Sequence, residues 1–117
     1  MTDAIWLDHY PQEVAKELPE IPHHHLPSLM GEASKKYSGQ KAFTQVMPNG
    51  MNGTLTYEKV DELSDHFAAY LREELGLVQG DRVAVQMPNC LSYPVVAFGI
   101  LKAGCVIVNT KIGRENV

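Results

Sequence analysis

Several kinds of side chain in this sequence could do chemistry, and each is weighed against the segment that carries it. His23, His24 and His25 are consecutive, which suggests metal ligation. Adjacent histidines in an extended segment point in different directions, however, and no Cys or carboxylate stands at ligand spacing. They are expected to form a solvated loop that holds nickel or zinc only adventitiously. Cys90 and Cys105 have no C-x-x-C spacing and sit in or beside apolar runs, the pattern of reduced, buried thiols. Cys90 falls near the start of an expected helix, where the dipole lowers a thiol pKa, but Leu91 and the apolar helix after it favour burial over reactivity. Asp61, Glu62 and Asp65 read as charged neighbours on a solvated helix face, not as a catalytic pair. Ser28, Ser34, Ser38, Ser64 and Ser92 lack a nucleophile elbow and any Ser–His–Asp order.

A nucleotide site is the next suspicion. The sequence contains neither G-x-x-x-x-G-K-[ST] nor G-x-G-x-x-G. Its nearest approach, Gly76 to Gly80, lies between a helix and a strand, the wrong end of the unit for phosphates to meet a helix N-terminus. No residue is therefore assigned as catalytic, cofactor-binding or metal-ligating.

The elements that must position these residues are expected as follows. Pro11, Pro19 and Pro22 keep the leader irregular, with room for a short helix from Gln12 to Leu18. Trp6, Leu7 and Tyr10 form an apolar cluster expected to pin that leader to the domain surface. Leu29, Met30, Ala33 and Tyr37 recur at helical spacing, with Ser28 as N-cap and Gly39 just past the end. Ala42 to Met47 and Thr54 to Thr56 read as a hairpin with a long, mobile P-N-G-M-N-G tip. Thr56 caps a long amphipathic helix whose inner face carries Val60, Leu63, Phe67, Leu71 and Leu75, with Ala68 beside them. Gly76 ends that helix and Leu77 folds back onto it. The last third reads as a parallel strand–helix–strand unit with a right-handed crossover. In it Arg82 to Met87 forms a strand, Asn89 caps a helix that runs to Ala103, Gly104 stops the helix, and Cys105 to Val108 forms a buried strand.

Length and composition narrow the class. A chain of 117 residues, 44% hydrophobic and 21% charged, holds one compact domain and argues against disorder. A net charge of -4, with ten scattered Lys and Arg, argues against a nucleic-acid partner. The longest apolar stretch, Tyr93 to Val108, contains Lys102 and is shorter than a spanning helix needs, so no transmembrane segment is expected. The absence of a signal pattern points to the cytoplasm.

One stretch carries more information than any single residue. From Leu55 the chain reads L-T-Y-E-K-V-D-E-L-S-D-H-F-A-A-Y-L, then G-D-R-V-A-V-Q-M-P-N-C, then L-S-Y-P-V-V-A-F-G-I-L-K-A-G-C-V-I-V-N-T to Thr110. It resembles the opening of the large domain of adenylate-forming acyl-CoA synthetases, most closely the bacterial long-chain fatty acid–CoA ligases. The leader Trp6-Leu7-Asp8-His9-Tyr10-Pro11 is similar to their W-L-x-x-Y-P. The resemblance implies an α/β fragment of that domain: an irregular leader over 1–26, a partial N-terminal subdomain over 27–110, and a divergent or truncated tail over 111–117.

The resemblance further implies a parent reaction that uses ATP, magnesium and coenzyme A, with a phosphate-binding loop and a C-terminal-domain lysine that these residues do not match. No cofactor is expected in this chain. The pattern stops after Thr110, which is read as a truncated frame or a chosen boundary. A scaffold fragment without ligase activity is expected. Alternatives are an interaction module that pairs with a separate remainder of the synthetase, and a small nucleotide-binding α/β protein. Self-association through an open sheet edge is expected, and the resemblance allows peripheral inner-membrane association in the parent.

Overall fold

The computed structural model describes residues 4–111 and 113. Met1–Asp3 of the leader, and Ile112 and Arg114–Val117 of the expected tail, lie outside the described residues.

The leader departs from expectation in two ways. Its helical turn is a 3-10 helix at Ile5–His9, and Gln12 to Leu18 holds only turns and bends. Seven residues cannot sustain a helix unless one face packs, and Val14 and Leu18 are exposed. Trp6 and Tyr10 are likewise exposed, Trp6 by 60%, so the apolar cluster is not buried against the domain.

Helix α1 spans Leu26–Lys36. His25, not Ser28, is its N-cap: the His25 ring accepts a hydrogen bond from the Ser28 amide at 3.1 Å. Pro27 stands in the first turn, where its missing N–H costs nothing. Strands β1 (Lys41–Val46) and β2 (Asn52–Thr56) form the antiparallel hairpin, with an irregularity between Lys41 and Phe43. Its tip is stitched by the Gly50 amide to Met47 O and the Met51 amide to Asn49 Oδ1.

Helix α2 spans Tyr57–Ala69 and is capped by Thr56, whose Oγ1 accepts from the Lys59 amide at 3.2 Å. It runs on into a π-helical turn, Tyr70–Glu74. Gly76, at φ 64°, then takes the left-handed conformation that lets the Leu77 amide return to Leu71 O at 3.0 Å. The wider π turn lengthens this closure by one residue over the usual motif.

Strand β3 (Arg82–Val85), helix α3 (Ser92–Lys102) and strand β4 (Val106–Asn109) follow, with β3 and β4 paired in parallel. Pro94 lies in the first turn of α3 and is buried. Gly104, at φ 77°, ends the helix. Asn89 does not cap α3: Leu91 holds the cap position, and its amide is taken by Gln45 Oε1 of the hairpin at 3.3 Å. Strand β4 is buried on one side only. Cys105 before it is 6% exposed, whereas Val106 and Val108 face outward at 46% and 37%. An apolar run thus marked a strand without marking which sides are covered.

The core lies where α2 and α3 cross over the β3–β4 pair and contains Ala68, Leu71, Val85, Ile100, Ala103 and Cys105. Ile100 is fully enclosed, a burial that stabilises the fold by about 2–3 kcal/mol. Along α2 and the π turn the enclosed residues are Val60, Ser64, Ala68 and Leu71, while Leu75 just after the turn is half exposed. Small residues occupy the crossing because the helices approach closely there. A Cβ on Gly99 would lie 3.0 Å from Ser64 O.

Candidate functional site

The candidate residues fall into two clusters, both involving α1 or α2. The first is built on Lys102. Its side chain, 12% exposed, leaves the end of α3 and reaches α2, where Nζ lies 2.7 Å from Asp61 Oδ1, 2.7 Å from Asp65 Oδ1 and 3.0 Å from Asp61 O. An ammonium has three N–H donors, and these contacts use all three. The cluster lines a polar cleft of about 690 Å³ together with Arg72 and Glu73, but the lysine has no donor left for a phosphate or carboxylate ligand. Its chemistry is that of a clamp between helices. Asp61 and Asp65 are therefore not simply a solvated face, which corrects the sequence expectation. The signal that could have found this was a lysine closing an apolar helix, with two carboxylates one helical turn apart to receive it.

Glu62 points elsewhere, to Lys59 Nζ at 2.8 Å. The hydrogen bond from Lys59, then its charge, hold the Glu62 carboxyl below its ordinary value.

The second cluster joins residues that the sequence left apart. His23 Nδ1 lies 2.9 Å from Ser28 Oγ, and His23 Nε2 lies 2.9 Å from Glu32 Oε2. A carboxylate only accepts, so in the neutral ring the proton sits on Nε2 and Nδ1 accepts from the Ser28 hydroxyl. This is a serine–histidine–carboxylate chain, in the order His23, Ser28, Glu32, where no such order was recognised. It lacks an oxyanion pocket in this arrangement. The Ser28 amide is already given to His25, and Pro27 has no N–H. The three residues fasten the leader to the start of α1. Among the described residues no group of three His, Cys, Asp or Glu is arranged to hold a metal ion.

Several of the remaining candidates are engaged in structure. Cys105 is buried and Cys90 half-buried, and both are free thiols. Cys90 precedes α3 beside Gln45 and Tyr93 in a cleft of about 400 Å³. Ser64 is fully enclosed and donates to Asp61 O at 2.9 Å. Asp81 Oδ2 accepts from the Val78 amide at 2.8 Å, closing the turn before β3. Tyr93 donates to Asn109 Oδ1, and Thr110 donates through both its amide and its hydroxyl to Val85 O. No helix among the described residues is long and apolar enough to cross a membrane.

Comparison with known proteins places this geometry. A family model described as AMP-binding enzyme matches residues 31–113. The long-chain-fatty-acid–CoA ligase of Salmonella typhimurium is 44% identical over 105 residues, which is 90% of this chain and 18% of that protein. The crystal structure of fatty acid AMP ligase from Legionella pneumophila matches with a TM-score of 0.72 and 25% identity, over 81% of this chain and 16% of that one. A fatty acyl-adenylate ligase from L. pneumophila, in complex with acyl adenylate and pyrophosphate, matches with a TM-score of 0.71 and 27% identity, over 77% of this chain and 16% of that one. The chain therefore spans less than a fifth of the length of these relatives.

Proposed function

Because the chain belongs to the AMP-binding enzyme family, we propose that it is the N-terminal portion of a long-chain fatty acid–CoA ligase and supplies scaffold, not reacting groups. The observation that carries the assignment is the 44% identity across 90% of the chain. In the parent reaction, ATP and magnesium convert a fatty acid to its acyl-adenylate. Adenylation supplies the leaving group that a free carboxylate lacks, and coenzyme A then takes the acyl group. The role as scaffold is supported by where the polar side chains go. Lys102, Asp61 and Asp65 tie α3 to α2, while Asp81 and Thr110 tie the strands to their turns. On this reading residues 1–26 are leader, 27–110 the subdomain body and 111–117 a divergent tail, and the chain works in the cytoplasm.

A second reading, assembly with a separate remainder of the synthetase or with itself, is favoured by the outward face of β4. Val106 and Val108 are exposed there on a sheet of only two strands among the described residues. Exposed apolar strands invite pairing. One set of samples tests both readings: the 117-residue chain alone, the separately expressed remainder alone, and their mixture, each given ATP, magnesium, a long-chain acid and coenzyme A. Acyl-CoA is expected from no sample of the chain alone, and turnover that appears only on mixing supports assembly. Turnover by the chain alone, free of full-length enzyme, overturns the scaffold assignment. Light scattering on the same samples reads self-association, and a monomer at every concentration would remove it.

A further inference from the structure

Four elements converge on an apolar cavity of about 150 Å³, apart from the Lys102 and His23 clusters. Leu29 and Met30 come from α1, Phe43 from β1, Tyr57 from α2 and Phe98 from α3. The rings of Phe43 and Phe98 meet edge-on at its wall, 6.3 Å apart. Leu29 and Phe43 are 48% and 39% exposed, so the cavity has a mouth between α1 and the hairpin.

Two hydroxyl-bearing side chains, Ser34 and Tyr57, line it. Ser34, on α1, is 9% exposed. The hydroxyls of Ser28 and Ser64 are bonded within the protein, whereas Ser34 Oγ has no protein partner among the described residues. No enclosed polar side-chain atom among them is left unsatisfied, so this hydroxyl keeps access to solvent, and Ser34 is among the residues that line the cavity. A guest that covers this hydroxyl without replacing its hydrogen bond to solvent loses about 1–3 kcal/mol. The cavity therefore rewards a guest that brings a hydrogen-bonding atom to Ser34 and an apolar body to the rest.

We propose that this cavity is a binding site for a neutral, one-ring amphiphile of the size of phenol. Volume sets the upper bound, because an apolar cavity of about 150 Å³ holds benzene in another protein. The aromatic side chains Phe43, Tyr57 and Phe98 favour a ring over a chain of equal volume, through edge and face contacts. Ser34 selects the hydroxylated ring over the bare one. A hydroxylated guest replaces the hydrogen bond that solvent can give Ser34, so covering that hydroxyl costs little.

The test is a titration of the 15N-labelled 117-residue chain with phenol and, separately, with benzene, followed by amide shifts in α1 and β1. Phenol is expected to bind about fivefold tighter than benzene, the discrimination of one net hydrogen bond. Ser34→Ala is expected to erase that preference and leave benzene binding in place. Ala33→Leu, which fills the cavity from α1, is expected to abolish both. Should Ala33→Leu fail to fold, the Ser34→Ala comparison stands alone. The proposal is overturned if neither ligand shifts these amides, or if phenol and benzene bind equally to the wild-type chain.

Discussion

Adding one methyl group at Gly99 should destabilise this domain, while the same change at Gly31 should stabilise it. Both glycines lie inside helices, and neither has a positive φ. Helix propensity alone therefore favours alanine at each by about 1 kcal/mol. Their surroundings differ. A Cβ on Gly31 meets nothing within 4 Å, whereas one on Gly99 lies 2.7 Å from Phe67 Cδ1, 3.0 Å from Phe67 Cβ and 3.0 Å from Ser64 O. The Phe67 ring can turn aside, but the Ser64 carbonyl belongs to the α2 backbone, so α2 and α3 must separate. Overpacking of this kind costs about 1–3 kcal/mol. After the propensity gain, Gly99→Ala should lose up to about 2 kcal/mol and Gly31→Ala should gain up to about 1 kcal/mol. For a domain of this size each kcal/mol moves Tm by about 4–8 °C, so the two variants should fall on opposite sides of the wild type. Urea unfolding with an unchanged m-value is the assay. If Gly99→Ala is as stable as Gly31→Ala, the helices do not touch at this crossing and the account of the core is wrong.

Two further outcomes follow from the ion pairs. Lys102→Met keeps the length of the side chain and removes the ammonium between Asp61 and Asp65, so about 1–2 kcal/mol should be lost in urea unfolding. Asp65→Asn should cost less than about 1 kcal/mol, because Asp65 is 64% exposed, and an equal loss for the two variants would contradict the clamp. Glu62 titrates below its ordinary value because Lys59 bonds and faces it. Its lowered folded pKa contributes stability that is present at neutral pH and lost as pH falls through that pKa. Lys59→Ala should move the Glu62 carboxyl titration upward by NMR, and an unmoved titration would refute the assignment of cause.

Residues with strong local signals were legible in the sequence. Thr56 caps α2, Gly76 and Gly104 end their helices, and Leu77 folds back. The β3–α3–β4 unit is parallel, as expected of two strands joined by a helix. Two helix starts were misread. At α1 the His25 ring accepts from the Ser28 amide three residues on, a local bond with an uncommon capping residue, and at α3 the Leu91 amide is taken by Gln45 from 46 residues away. Lys102 was read as an interruption in an apolar run, since nothing near it in the sequence announces Asp61 and Asp65.

The family pattern and the kinds of element are written in the order of residues. Those depend on short-range sterics, on periodicity and on the order of residues along one strand of text. Which polar groups meet follows from packing between segments. Lys102 with the two aspartates, His23 with Ser28 and Glu32, and the unpartnered Ser34 in an apolar cavity all depend on distances between segments. The same holds for coverage. Val106 and Cys105 are neighbours in an apolar run, yet the pleat turns one to solvent and the other to the core. Hydrophobicity records what a residue can tolerate, and packing alone sets what it touches.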